Sequence, residues 1–111
     1  MHGLGLGVAL KIALSFSHVK HVDVVEQSED VLNLVGKHIR DERVTIHHAD
    51  AYTHRFPKDS KWNIAWHDIW DNLCTDNFEG MSKLHRRYAR KVAWQESWSR
   101  QWLKAHQSRY R

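Results

Sequence analysis

Apolar residues recur along the chain at two spacings. Val8, Ala9, Ile12, Ala13 and Phe16 fall three and four apart, which predicts a helix over 6–17 that opens at a run of glycines. A short connection at 17–20 leads to 21–26, a compact β-branched segment of the kind found in strands buried on both faces. Ser28 is placed to cap a second helix, Glu29 and Asp30 suit its first turn, and Val31, Leu32, Val35 and Ile39 give its apolar stripe. A polar turn at Asp41-Glu42-Arg43 precedes a second strand, 44–49, which ends at Asp50. A loop around the sole proline, Pro57, precedes a third strand, 62–67, which ends at Asp68. Residues 71–77 read as a turn. Met81, Leu84, Tyr88 and Val92 mark a third helix, and Trp94, Trp98 and Trp102, four apart, mark a stripe of a fourth.

Strands alternating with helices argue for a parallel sheet with helices on its faces. Three successive strands close on an acidic residue: Glu26, Asp50 and Asp68. Ligands of open α/β sheets bind beyond the carboxyl ends of the strands, so these carboxylates are expected on one rim beside the glycines. Gly3, Gly5 and Gly7 alternate with leucines, and a backbone without Cβ atoms can turn tightly and pass close to a ligand. Glu26 follows Gly7 by 19 positions, where a nucleotide-binding unit carries its ribose-gripping carboxylate. The plainer alternatives are a helix-entry turn at the glycines, a solvated strand end at Glu26, and turn-forming aspartates at Asp50 and Asp68.

At 111 residues the chain reads as a single domain, 1–111, with a nucleotide-binding part (3–72) and a basic, tryptophan-bearing helical part (73–111). No apolar run approaches the roughly 20 residues of a membrane span, and the N-terminus does not read as a secretory signal. One cysteine, Cys74, permits no internal disulfide, which points to a reducing, cytoplasmic setting. Residues 1–80 hold 8 Lys/Arg against 12 Asp/Glu, whereas 81–111 hold 9 against Glu96 alone. That basic third suits a solvated helix face or an anionic partner, nucleic acid included. Ten histidines invite a metal, through His47, His48, His54 and His67. Neighbours on a strand face opposite ways, and no C-x-x-C or H-E-x-x-H spacing is present, so no metal site is expected.

Gly3-Leu4-Gly5-Leu6-Gly7 resembles the G-x-G-x-G loop of class I S-adenosylmethionine-dependent methyltransferases. The resemblance covers 3–72 and implies a Rossmann-like parallel sheet with flanking helices, incomplete because the first and last family strands are missing. It implies that Gly3, Gly5, Gly7, Glu26 and Asp50 hold S-adenosylmethionine or a decarboxylated derivative. Within the family the chain looks most like the spermidine-synthase group. There the fourth strand ends in two aspartates three apart, a spacing that Asp68 and Asp71 reproduce; Asn72 stands where a proline commonly follows. Asp68 is then the expected base toward a small amine-type acceptor, with Trp70 flattening the acceptor pocket. Trp66-His67-Asp68-Ile69-Trp70 also resembles the core of short virus-encoded relatives, which would place the protein in host cytoplasm.

The family's central strand runs into the glycine loop, and only Met1 and His2 precede Gly3 here. A fragment or internal start is the preferred account, ahead of a minimal fold or a strand donated by a partner. Exposed sheet edges would favour a homo-oligomer. The rival functional class is a non-catalytic module that binds protein or nucleic acid through its basic C-terminal helices.

Overall fold

The computed structural model describes residues 1–5, 7–69, 77–97 and 104, the side chain of Phe78 excepted. They form a mixed α/β fold in two compact units, Met1–His54 and Arg55–Arg111. No helix of the described residues is long and apolar enough to cross a membrane.

The first unit runs α1 (Val8–Leu14), β1 (Val22–Glu26), α2 (Glu29–Leu34) with a 3-10 turn at Gly36–His38, and β2 (Val44–His48). β1 and β2 pair in parallel, from Val22 opposite Val44 to Glu26 opposite His48. Alternation along the strands puts Val22, Val24, Val44 and Ile46 on one face. There the core of Leu4, Leu10 and Val24 gathers Leu14 from α1 and Val31, Leu32 and Val35 from α2 and its C-cap. Ser28 caps α2 by accepting the Val31 N–H at 3.3 Å, as its position predicts. The helix stops sooner than the apolar stripe suggests, because β-branched Val35 and Gly36, both weak helix formers, follow Leu34.

Two expectations for this unit are corrected. Val8, Ile12 and Phe16 do not supply the packed face of α1; they are 60%, 59% and 51% exposed, and Leu10 at 1% is the buried residue. Lys11 is the only polar residue in α1, so apolar spacing alone does not choose a face. Nor is the chain before the glycines free of strand pairing. Val25 N–H donates to Met1 C=O and Gly3 N–H to Val25 C=O, both at 2.8 Å, and His2 bridges Val25 in parallel. Met1–Gly3 thus lies beside β1 through backbone hydrogen bonds, with Met1 packed against the core.

Arg43 ties the chain leaving α1 to the turn before β2. Its guanidinium donates to the carbonyls of Leu14 (2.7 Å), Val19 (3.1 Å) and Phe16 (3.2 Å), at and beyond the end of α1. It also forks onto Asp41, with Nη2 to Oδ2 at 2.7 Å and Nε to Oδ1 at 3.0 Å. These bonds with Arg43 hold the Asp41 carboxyl down at about 2. Because the folded value lies below the ordinary 3.8, the contribution is complete above about pH 4 and is lost as pH falls toward 2. Arg43→Ala is expected to lower the melting temperature and erase that acid limb. Arg43→Lys should fail to restore it, since a single ammonium cannot reproduce the fork. A melting series from pH 2 to 7 reads both effects.

The second unit runs β3 (Trp62–His67), α3 (Asn77–Tyr88) and β4 (Val92–Ser97). β3 and β4 pair in parallel, from Trp62 opposite Val92 to His67 opposite Ser97. The stripe Met81, Leu84 and Tyr88 is buried, as its spacing predicts. The chain leaves the helix at Tyr88, whose carbonyl accepts the Lys91 N–H at 2.9 Å, and Val92 belongs to β4. This overturns two expectations: that no strand follows the third helix, and that Trp94 opens a fourth helix. Trp98, Trp102 and Cys74 lie outside the described residues.

Candidate functional site

The glycine turn forms around a carboxylate. After its bond to Val25, the backbone bends through Gly3 (φ 88°), Gly5 (φ 51°) and Gly7 (φ 81°), a left-handed region that side chains disfavour. Leu4 N–H donates to Glu26 Oε1 at 2.8 Å, and Ser28 N–H donates to Glu26 Oε2 at 2.9 Å. Glu26 therefore pins the glycine turn to the end of β1 and shapes the chain entering α2. Gly7 C=O accepts the Lys11 N–H at 2.9 Å, which starts α1. A side chain at Gly7 would meet Val35 Cγ1 at 3.3 Å, whereas the space around Gly5 is open to 4 Å. At Gly7 the left-handed φ of 81° is the constraint, with Val35 close by. Gly5 is exposed and presents bare backbone.

Asp50 lies at the adjoining strand end, one residue past Ala49, whose N–H donates to the Glu26 carbonyl at 3.0 Å. Its Oδ1 accepts the Tyr52 N–H at 2.8 Å, and its carbonyl accepts from Thr53 and His54. Asp50 is thus a turn former at a strand exit. The first unit brings Gly3, Gly5, Gly7, Glu26 and Asp50 to one end of the β1–β2 pair.

Asp68 follows β3 in the second unit and is half-buried; burial pushes its carboxyl above the ordinary value. Trp70 and Asp71 lie outside the described residues.

The histidines sort into separate groups. On the β1–β2 face opposite the helices, Asp23 Oδ1 takes His47 Nε2 at 3.0 Å and His21 Nε2 at 3.2 Å. The His47 ring also lies 5.1 Å from that of His54. His48 points the other way, to the Gln27 carbonyl at 3.0 Å. Among the described residues no three His, Cys, Asp or Glu side chains are arranged to hold a metal ion.

Sequence reasoning missed a buried polar chain in the second unit. His67, fully buried, meets Gln95 Oε1 through Nε2 at 2.9 Å. Gln95 Nε2 donates to the His85 carbonyl at 2.7 Å, and His85 Nε2 bonds the Ser97 hydroxyl at 2.7 Å. The orientation of the Gln95 amide makes its oxygen the acceptor, so Nε2 of His67 carries the proton. The available signal was alternation: Gln95 and Ser97 share a face of β4, and His67 is the register partner of Ser97. Burial lowers the His67 imidazole to about 4.

No protein-family model, no curated protein and no solved structure matches this chain.

Proposed function

We propose that the first unit cradles the adenosine portion of S-adenosylmethionine or its decarboxylated derivative. In this reading the chain serves a Rossmann-like transferase that moves a methyl or aminopropyl group to an amine-type acceptor. The observation that carries the reading is the 2.8 Å bond from Leu4 N–H to Glu26 Oε1, which joins the glycine turn to the acidic strand end. A carboxylate accepts about four hydrogen bonds. With two N–H groups bound, Glu26 keeps acceptor capacity for a pair of ribose hydroxyls. The open space at Gly5 lets a ligand approach the backbone, and Asp50, on the neighbouring strand end, suits an exocyclic amine.

The chemistry asks little of the protein beyond alignment and a proton acceptor. The acceptor amine attacks a carbon bound to the sulfonium, and the carbon–sulfur electron pair stays on sulfur as a neutral thioether. The amine proton needs an acceptor; the resemblance assigns that role to Asp68, and burial raises its carboxyl above the ordinary value, as suits a base. The resemblance alone assigns Trp70 and Asp71 to the acceptor.

Calorimetry on the whole chain with S-adenosylmethionine, its thioether product and methylthioadenosine tests the proposal. Saturable heat is expected, with stabilisation of about 2.7 kcal/mol at 100-fold over the dissociation constant. Amide exchange at Leu4 and Gly5 should slow on binding. Folded protein that gives no heat with any of the three overturns the reading.

A further inference from the structure

In the second unit, two basic segments far apart in sequence meet at the end where β3 and β4 begin. One is the loop carrying Arg55, Lys58 and Lys61; the other is the end of α3 and its exit turn, carrying Arg86, Arg87, Arg90 and Lys91. Trp62 N–H donates to the Lys91 carbonyl at 2.8 Å. Lys91 Nζ donates to the Lys58 carbonyl at 3.0 Å, and Lys61 Nζ donates to the Arg90 carbonyl. Beneath them Phe56 packs edge-on against Trp62 at 4.7 Å, and Trp62 against Tyr88 at 6.4 Å. The cations are therefore set on a fixed support. Six of the seven are exposed, and Asp59 is the only acid within either segment.

Gathering like charges costs repulsion that ordinary solubility does not require. The first unit holds 5 Lys/Arg against 7 Asp/Glu, so the basic excess of the whole chain lies in the second. Four of the seven are arginines, whose planar forks match phosphate oxygens. Among the described residues the exposed large apolar side chains are Val8, Ile12, Phe16, Leu34, Ile64 and Trp94, none in either segment. A surface built to enter lipid would carry such residues beside its cations.

We propose that this end of the second unit binds the phosphodiester backbone of a nucleic acid without reading its sequence. The surface lies at the opposite end of β3 from Asp68, about 20 Å away at strand geometry. It does not depend on the nucleoside reading of the first unit.

Fluorescence anisotropy with labelled duplex and single-stranded 20-mers, across salt from about 50 to 200 mM, tests it. Affinity should fall steeply and linearly on a log–log plot. The triple variant Lys58→Gln, Arg86→Gln, Arg90→Gln should bind at least tenfold more weakly at low salt, with a slope smaller by about 2–3. The variant Lys11→Gln, Lys20→Gln, Lys37→Gln removes the same charge from the first unit and should bind like the parent. Lys58→Glu alone, in an exposed loop, should weaken binding severalfold and serves if the triple variant folds poorly. Equal losses in both triple variants, no binding to either oligonucleotide, or binding only to phosphatidylserine vesicles would overturn the proposal.

Discussion

Glu26→Ala is expected to destabilise the first unit by about 2–4 kcal/mol, apart from any effect on a ligand. Both carboxylate oxygens accept backbone N–H groups, from Leu4 at 2.8 Å and Ser28 at 2.9 Å. Removing the side chain strands two donors at a site that is only partly open to water, at a cost of roughly 1–3 kcal/mol each. It also frees a turn built from three left-handed glycines, whose unfolded ensemble is unusually broad. Glu26→Gln should recover about half of the loss, because one amide oxygen can accept only on one side. Tryptophan fluorescence is the wrong probe here, since all six tryptophans lie in Arg55–Arg111. Urea-dependent amide exchange is the right one. Leu4 and Ser28 should exchange faster in Glu26→Ala, while the β1–β2 amides lose protection in step with global stability. Unchanged protection at both amides would show that the carboxylate is not what holds the turn. Loss of ligand binding in Glu26→Ala would not isolate a ligand contact, so the test of function is better made on the parent chain.

Much of the first unit is legible in the residues themselves. Val22-Asp23-Val24-Val25-Glu26 announces its strand, Ser28 its cap, and the alternating glycines their turn, because each uses local chemistry that tertiary context reinforces. Backbone-only features were not legible. The pairing of Met1–Gly3 with β1 depends on N–H and C=O groups, which leave no mark in hydropathy. The partnership of Leu4 N–H with Glu26 is hidden for the same reason. β4 failed for a different cause. Gln95 and Ser97 occupy positions where an alternating strand would show apolar residues, because they bond the histidines His67 and His85 instead. With its inward face polar, Val92-Ala93-Trp94-Gln95-Glu96-Ser97 loses the strand signature, and Trp94 shares with Trp98 and Trp102 a four-residue spacing that reads as helical in the sequence.

Burial of His67 on that face is expected to make the second unit acid-sensitive. Burial lowers its imidazole from the ordinary 6.5 to about 4, with the Gln95 hydrogen bond opposing the change. Above pH 6.5 the ring is neutral whether the unit is folded or not, and the site is silent. Between pH 6.5 and 4 the unfolded chain binds a proton that the folded unit refuses, so stability falls as pH falls. Integrated over that window the loss is on the order of 3 kcal/mol, since each tenfold difference in proton affinity is worth about 1.4 kcal/mol. Below pH 4 both states are protonated and the penalty stops growing. Urea unfolding followed by the fluorescence of Trp62, Trp66 and Trp94, at pH values from about 4 to 7.5, measures it. His67→Gln keeps a group able to donate to Gln95 Oε1 and cannot titrate. It should lower stability at pH 7 yet flatten the dependence between pH 6.5 and 4. If the variant keeps the parent slope, the proton is taken up elsewhere and the buried, neutral His67 is not the source of the acid sensitivity.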